Sequence, residues 1–104
     1  MKMLNKVVLE GKVLSSWITK NGLLAVKTSV VHQHKIGGET VTVESIVKVL
    51  LSDKVQIRQL QLLMGDNIHA EGYLYVDHAI SARGNTHEKL VIFANTIEVI
   101  SYVN

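Results

Sequence analysis

Tyr73 and Tyr75 are the residues whose type and spacing best suit chemistry in this sequence. They lie two positions apart in a segment of alternating polarity, so both rings are predicted on the polar face of a strand, pointing away from the core. An exposed flat ring can stack on another flat ring, and stacking on a nucleobase contributes roughly 1 to 3 kcal/mol per base. The alternative is that both rings cover a subunit interface or the outer surface, since tyrosine is frequent at interfaces.

Basic side chains that could neutralise phosphates are spread along the chain. The formal net charge is only +2 at pH 7 with the five histidines counted as neutral, so charge alone does not indicate a nucleic-acid binder. Each basic residue is equally well explained as a solvated surface charge, and only the whole set suggests a surface for phosphates. The candidates are Lys12, Lys20, Lys27, Lys35, Lys48 and Arg83.

Metal binding and catalysis have little support in the sequence. His32 and His34 share one predicted strand face and could reach one metal ion, but nothing places a third ligand such as His78 or His87 beside them. The chain contains no cysteine, no glycine-rich phosphate loop and no nucleophile elbow. We therefore expect a protein that is not an enzyme, binds no metal and uses no cofactor.

Hydrophobic periodicity predicts five strands and one helix. The predicted strands cover residues 6–14, 24–34, 41–49 and 67–77, and a fifth runs from residue 90 onward with a bulge near Asn95. A polar loop is predicted at residues 81–85. The helix is predicted to begin at Ser52 or Asp53, either of which can cap it, and to end at Gly65. Its apolar side would consist of Ile57, Leu60 and Met64.

Three strands, a helix and two strands form the element order of the OB-fold, an all-β, five-stranded Greek-key barrel. Gly11, in the first strand, permits the sharp bend that lets one strand belong to both halves of a small barrel. A chain of 104 residues that is 47% hydrophobic suits one domain over residues 1–104 with one core. An open α+β sandwich is the alternative architecture.

Three segments of the chain resemble bacterial single-stranded DNA-binding proteins. Residues 4–13, LNKVVLEGKV, resemble the Leu-Asn-Lys/Arg-Val-x-Leu-x-Gly stretch with which that family begins. Residues 65–74, GDNIHAEGYL, resemble the segment after the family's helix, and residues 90–100, LVIFANTIEVI, resemble its last barrel strand. The chain also resembles the short primosomal replication protein N (PriB) of the same superfamily, because it ends just past the barrel.

The resemblance implies sequence-tolerant binding of single-stranded DNA in replication, recombination or repair, by a homodimer or homotetramer. Trp17, predicted in the connection between the first two strands, would stack on bases beside the groove, or else cap one end of the barrel. Phe93 lies in an apolar run and is assigned to the core. Residues 43–47, VESIV, offer no ring where the family's third strand usually carries one, and no acidic tail follows the barrel, so recruitment through a tail is not expected.

A barrel with few stacking rings could instead be a protein-interaction module, similar to a primosome component with weak or no intrinsic DNA binding. Its partners would then be replication or restart proteins. The N-terminal residues suit neither a signal peptide nor a membrane span. We therefore expect a cytoplasmic location and no membrane partner.

Overall fold

The strands close into a barrel in the computed structural model, which describes residues 3–80 and 83–100 and their side chains, except those of residues 79, 80 and 87. The elements are β1 (Val7–Ile18), β2 (Leu24–Ile36), β3 (Glu39–Leu51), α1 (Lys54–Gln59), β4 (Asn67–Ile80) and β5 (Thr86–Ile100). The strand order is β1-β2-β3-β5-β4, and the pairing of β1 with β4 closes the ring. Only β3 and β5 pair in parallel among the strands described. The predicted OB-fold barrel is confirmed, and the open sandwich is wrong.

The core lies inside the barrel and is built from alternate residues of the strands. Alternation that points these side chains inward points their neighbours outward, onto the external face of the same strands. The buried residues of the core are Val13, Leu24, Val26, Val49, Leu51, Ile68, Ala70, Ile92, Ala94 and Ile97.

Strand β1 takes part in both halves of the barrel, as predicted. Its residues 7–12 pair with β4, and its residues 12–18 pair with β2. Gly11 lies where β1 passes from one partner to the other, and a Cβ there would lie 2.6 Å from both the carbonyl oxygen of Ser29 and Cγ2 of Thr28. Glycine is therefore required at this position by the close approach of β2.

The end of β1 differs from the prediction. A register shift between Val13 and Ser15 inserts one residue, after which β1 continues to Ile18, four residues beyond the predicted end. Because β1 extends to Ile18, Trp17 lies in the strand, opposite Ala25, and not in the connection to β2. The bulge also changes the phase of the alternation before Trp17. Simple alternation read from the sequence does not extend across such an inserted residue.

The helix is shorter than predicted. Asp53 caps α1, with its Oδ1 accepting hydrogen bonds from the backbone N–H groups of Val55 at 2.9 Å and Gln56 at 3.2 Å. The helix ends at Gln59 because Leu60 has extended backbone angles, and Met64 is 81% exposed instead of packing on the core. Partly buried Ile57, Leu60 and Leu62 pack on the core instead. No helix in the described part of the chain is long and apolar enough to cross a membrane.

The predicted bulge at Asn95 is confirmed. Glu71 pairs with Thr96 and Gly72 pairs with Ala94, which leaves Asn95 as the extra residue of β5. The side-chain amide of Gln56 donates from Nε2 to the Asn95 carbonyl at 2.7 Å and accepts at Oε1 from the Ile97 N–H at 3.3 Å. This side chain thus satisfies backbone groups that the bulge removes from strand pairing, and it fixes α1 against β5.

The loop predicted at residues 81–85 is confirmed in part. Arg83 and Gly84 form a turn between β4 and β5, and Gly84 has a positive φ of 80°. Ser81 and Ala82 lie outside the described residues.

Candidate nucleic-acid interface

A second apolar cluster lies on the external face of the barrel. Ala25, Leu50 and Val91 alternate with core residues along their strands, yet all three are buried. Partly buried Leu23 and Phe93 pack against them. These five residues are here called the outer platform, and four of them, Leu23, Leu50, Val91 and Phe93, help to line two grooves.

The first groove contains the single tryptophan and three lysines. Trp17 is 43% exposed, and the Nζ atom of Lys48 lies 5.9 Å from the centroid of its ring, within range of a cation–π contact. Lys27 lies directly opposite Lys48 in the pairing of β2 with β3. The groove is lined by Trp17, Lys27, Ile46, Lys48, Lys89, Leu90 and Val91.

The second groove is built around an aromatic cluster on β4 and β5. The Tyr73 and Phe93 rings stack with their centroids 5.7 Å apart and their planes at 13°, and Tyr75 meets Phe93 edge-on at 6.0 Å and 70°. Tyr75 is 46% exposed, so one ring of the cluster remains available to a ligand. The groove is lined by Thr19, Lys20, Asn21, Leu23, Lys48, Leu50, Tyr75, Asp77 and Phe93.

The two grooves adjoin, because Lys48 lines both of them. Their lining residues include four lysines, and Asp77 is the carboxylate among them. On one continuous face, exposed rings can stack on flat ring systems. The ammonium groups beside them can neutralise the phosphates that connect those ring systems. The face formed by the two grooves therefore has the chemistry of a surface for single-stranded nucleic acid.

The structure brings five of the predicted binding residues together at the two grooves: Trp17, Lys20, Lys27, Lys48 and Tyr75. Tyr73 joins them through its stacking on Phe93. As predicted, Tyr73 and Tyr75 are on the external side of β4, opposite buried Ile68 and Ala70.

The other predicted basic residues lie elsewhere. Lys12 lines a separate groove with two carboxylates, those of Glu10 and Glu44. Lys35 pairs with Thr40 near the tip of the hairpin formed by β2 and β3, and Arg83 is in the turn between β4 and β5. These three residues are not gathered at the two grooves, and their contact with a nucleic acid stays a prediction.

The described histidines do not form a metal site. Within residues 3–80 and 83–100, no group of three His, Asp or Glu side chains could hold a metal ion. His32 lies with its Nε2 atom 3.5 Å from Oγ of Ser45. His69 bridges two carboxylates instead, with Nδ1 2.9 Å from Glu10 and Nε2 3.2 Å from Glu71. The hydrogen bond to Glu10, and after it the one to Glu71, raises the pKa of His69 above its usual value.

Phe93 and Lys89 were not predicted as site residues. The assignment of Phe93 to the barrel core is wrong, because Phe93 belongs to the outer platform. The signal was present in the sequence, because strand alternation puts Lys89, Val91 and Phe93 on the face opposite Ile92 and Ala94. The apolar character of Phe93 concealed this, since large rings are usually mostly buried.

Comparison with solved structures identifies the fold. A Plasmodium falciparum SSB in complex with ssDNA is similar to the chain at a TM-score of 0.75 and 17% identity, covering 96% of both chains. A small single-stranded DNA-binding protein from Streptomyces coelicolor is similar at a TM-score of 0.65 and 16% identity, covering 94% of this chain and 96% of that one. The chain has the OB-fold of single-stranded DNA-binding proteins.

A deletion mutant of the single-stranded DNA binding protein from Thermus aquaticus shares this OB-fold, with a TM-score of 0.67 and 20% identity over 94% of this chain. The match spans about half of the Thermus chain, 51% of its length. No protein-family model matches the sequence, and no curated protein matches it significantly. OB-folds bind oligonucleotides on the face of strands 2 and 3 and on the flanking loops. In this OB-fold the two grooves lie on that face and reach the turn between β1 and β2.

Proposed function

We propose that this protein binds single-stranded DNA across the two grooves, largely independently of sequence and without catalysing a reaction. The observation that carries the proposal is the gathering of Trp17, Tyr75 and four lysines on one face of the barrel. The OB-fold shared with single-stranded DNA-binding proteins supports it, because these residues occupy the face that the fold uses for oligonucleotides.

In the proposed mechanism, bases stack on the exposed faces of Trp17 and Tyr75. Lys48, which lines both grooves, neutralises the phosphate backbone between the two rings, with Lys27, Lys20 and Lys89 on either side. Each barrel offers few rings, so a homodimer or homotetramer would raise the overall affinity without any new type of contact. We place this activity in DNA replication, recombination or repair in the cytoplasm, with replication or restart proteins as further partners.

The first test is fluorescence anisotropy of a labelled oligo-dT strand titrated with the protein at low and high salt. We expect binding that weakens as salt rises, and a loss of affinity of about tenfold or more for each of Trp17→Ala and Tyr75→Ala, because each removes a stacking surface. Lys48→Ala should also reduce the slope of log affinity against log salt by about 0.7, the value expected for one phosphate contact on a single strand.

Two control variants separate the grooves from general effects of mutation. Ile18→Ala removes an exposed side chain next to Trp17, and Lys54→Ala removes an exposed charge on α1, outside both grooves. Both should bind oligo-dT like the unmodified protein. The proposal fails if no strand binds even at low salt and high protein concentration, and the barrel is then better explained as a protein-interaction module.

A further inference from the structure

Asp77 is a negatively charged residue on a face whose other charged lining residues are lysines. It lines the second groove together with Tyr75, Phe93, Lys20 and Lys48. A carboxylate at this place repels phosphates, which the lysines attract. If the face bound only the backbone of a strand, Asp77 would weaken binding, whereas a hydrogen bond to a base edge would give its carboxylate a favourable partner.

Intramolecular contacts do not account for Asp77. Lys89 lies directly opposite it in the pairing of β4 with β5, but among the described residues the Asp77 side chain makes neither an ion pair nor a hydrogen bond. Other aspartates have clear structural roles: Asp53 caps α1, and Oδ2 of Asp66 accepts a hydrogen bond from the Leu63 N–H at 2.9 Å. The acceptor capacity of Asp77 is therefore available to a ligand.

The surroundings of Asp77 match the two requirements of a base-binding site. Leu50 and Phe93 supply an apolar floor, and half-exposed Tyr75 supplies a ring for stacking. A base stacked there keeps its Watson–Crick edge free for hydrogen bonds with polar side chains. An ionised carboxylate only accepts hydrogen bonds, so at ring position 4 of a pyrimidine it favours an amino group and disfavours a carbonyl oxygen.

We propose that Asp77 selects the base that occupies the second groove, favouring cytosine, whose N4 amino group donates a hydrogen bond, over thymine, whose O4 only accepts one. This inference rests on the proposed binding of single-stranded DNA. Cytosine and thymine have the same ring size, so stacking on Tyr75 differs little between them. The preference applies to one position in each barrel, which leaves binding tolerant of sequence elsewhere.

The test compares labelled oligo-dC and oligo-dT strands of about 15 nucleotides, within the range of site sizes of OB-folds, at neutral pH and fixed salt. We expect the unmodified protein to bind oligo-dC roughly two- to tenfold more tightly, the range for one net hydrogen bond. Asp77→Ala should abolish this ratio, mainly through tighter binding of oligo-dT. Asp77→Asn, whose amide can accept from cytosine and donate to thymine, should bring the ratio close to one as well.

Glu88→Gln is the control, because Glu88 is an exposed carboxylate on β5 next to Lys89 that lines neither groove. It removes the same charge and should leave the oligo-dC to oligo-dT ratio unchanged. Thermal unfolding of each variant verifies that it is folded. If Asp77→Ala raises the affinity for oligo-dC and oligo-dT by the same factor, Asp77 acts only by repulsion and this inference is wrong. The inference is also wrong if the unmodified protein binds the two strands equally. If neither strand binds, the proposed function itself fails.

Discussion

At the scale of single residues, Gly72 affects both the strand pairing of the barrel and the candidate interface. Gly72 faces Phe93 and Ala94 across β4 and β5, and a Cβ at Gly72 would lie 2.0 Å from the Phe93 carbonyl oxygen. The same Phe93 carries the stacked ring of Tyr73 on the external face. A change at Gly72 therefore disturbs both the strand pairing and the ring cluster.

We predict that Gly72→Ala destabilises the protein by about 3 kcal/mol, because the new methyl group meets backbone atoms that cannot move as a flexible side chain can. Chemical denaturation measures the change in the free energy of unfolding. Gly38→Ala is the comparison: it has open space and a φ of 84°, so only backbone strain of about 1 to 2 kcal/mol applies. Equal costs for the two variants would contradict the role of close packing at Gly72.

At the scale of elements, His69 connects the two strands that close the barrel. It lies on β4, hydrogen-bonded to Glu10 of β1 and to Glu71 of β4, and Glu98 of β5 lies opposite it in the strand pairing. Both ring nitrogens can donate to carboxylates only when the imidazole is protonated. The hydrogen bonds to Glu10 and Glu71 therefore favour the charged form of His69.

This arrangement predicts a pH-dependent stability. The pKa of His69 is raised in the folded protein, above the value of about 6.5 expected when it is unfolded. The stabilisation is thus fully present below about pH 6.5 and is lost as the pH rises through the raised pKa. Between pH 6 and pH 9, the difference in melting temperature between the unmodified protein and His69→Gln should shrink, by a small amount because the side chain is partly exposed to solvent.

His34→Gln provides the reference for that series, because His34 is exposed on β2 and the structure shows no carboxylate hydrogen-bonded to it among the described residues. Its melting temperature should follow that of the unmodified protein across the same range. If the difference in melting temperature between the unmodified protein and His69→Gln stays constant with pH, the hydrogen bonds to Glu10 and Glu71 do not depend on the charge of His69.

At the scale of the whole molecule, the hairpins leave large apolar side chains exposed. Val31 and Ile36 of β2 are 62% and 59% exposed, and Leu74 and Leu90 of β4 and β5 are 47% and 69% exposed. Exposed apolar surface of this kind is typical of contacts between proteins. It supports the prediction of a homodimer or homotetramer without specifying which surface pairs.

We predict that light scattering coupled to size-exclusion chromatography gives a mass of two or four times 11.5 kDa at micromolar protein concentration. An association through apolar surface should persist at high salt, whereas DNA binding should weaken there. A mass of 11.5 kDa across the concentration range would contradict the predicted assembly. The DNA-binding proposal would then have to account for its affinity with the rings of one barrel.

Several features of the molecule could be predicted from the sequence because they depend on local patterns. Alternating polarity placed Tyr73 and Tyr75 outside the barrel, and the order of elements predicted the OB-fold. The change of phase near Asn95 revealed the bulge, and Asp53 was recognisable as a helix cap. The resemblance to single-stranded DNA-binding proteins is confirmed at the level of the fold, and the resemblance to the primosomal protein stays a prediction.

The amino-acid sequence by itself determined which residues alternate and which segments form strands, since these depend on neighbours in the chain. Only the tertiary structure decided what comes together. The bulge after Val13 turns Trp17 towards Lys48, and the pairing of β4 with β5 brings Phe93 beside Tyr73. These contacts join residues far apart in sequence, and the pairing register that creates them is set by packing of the whole barrel.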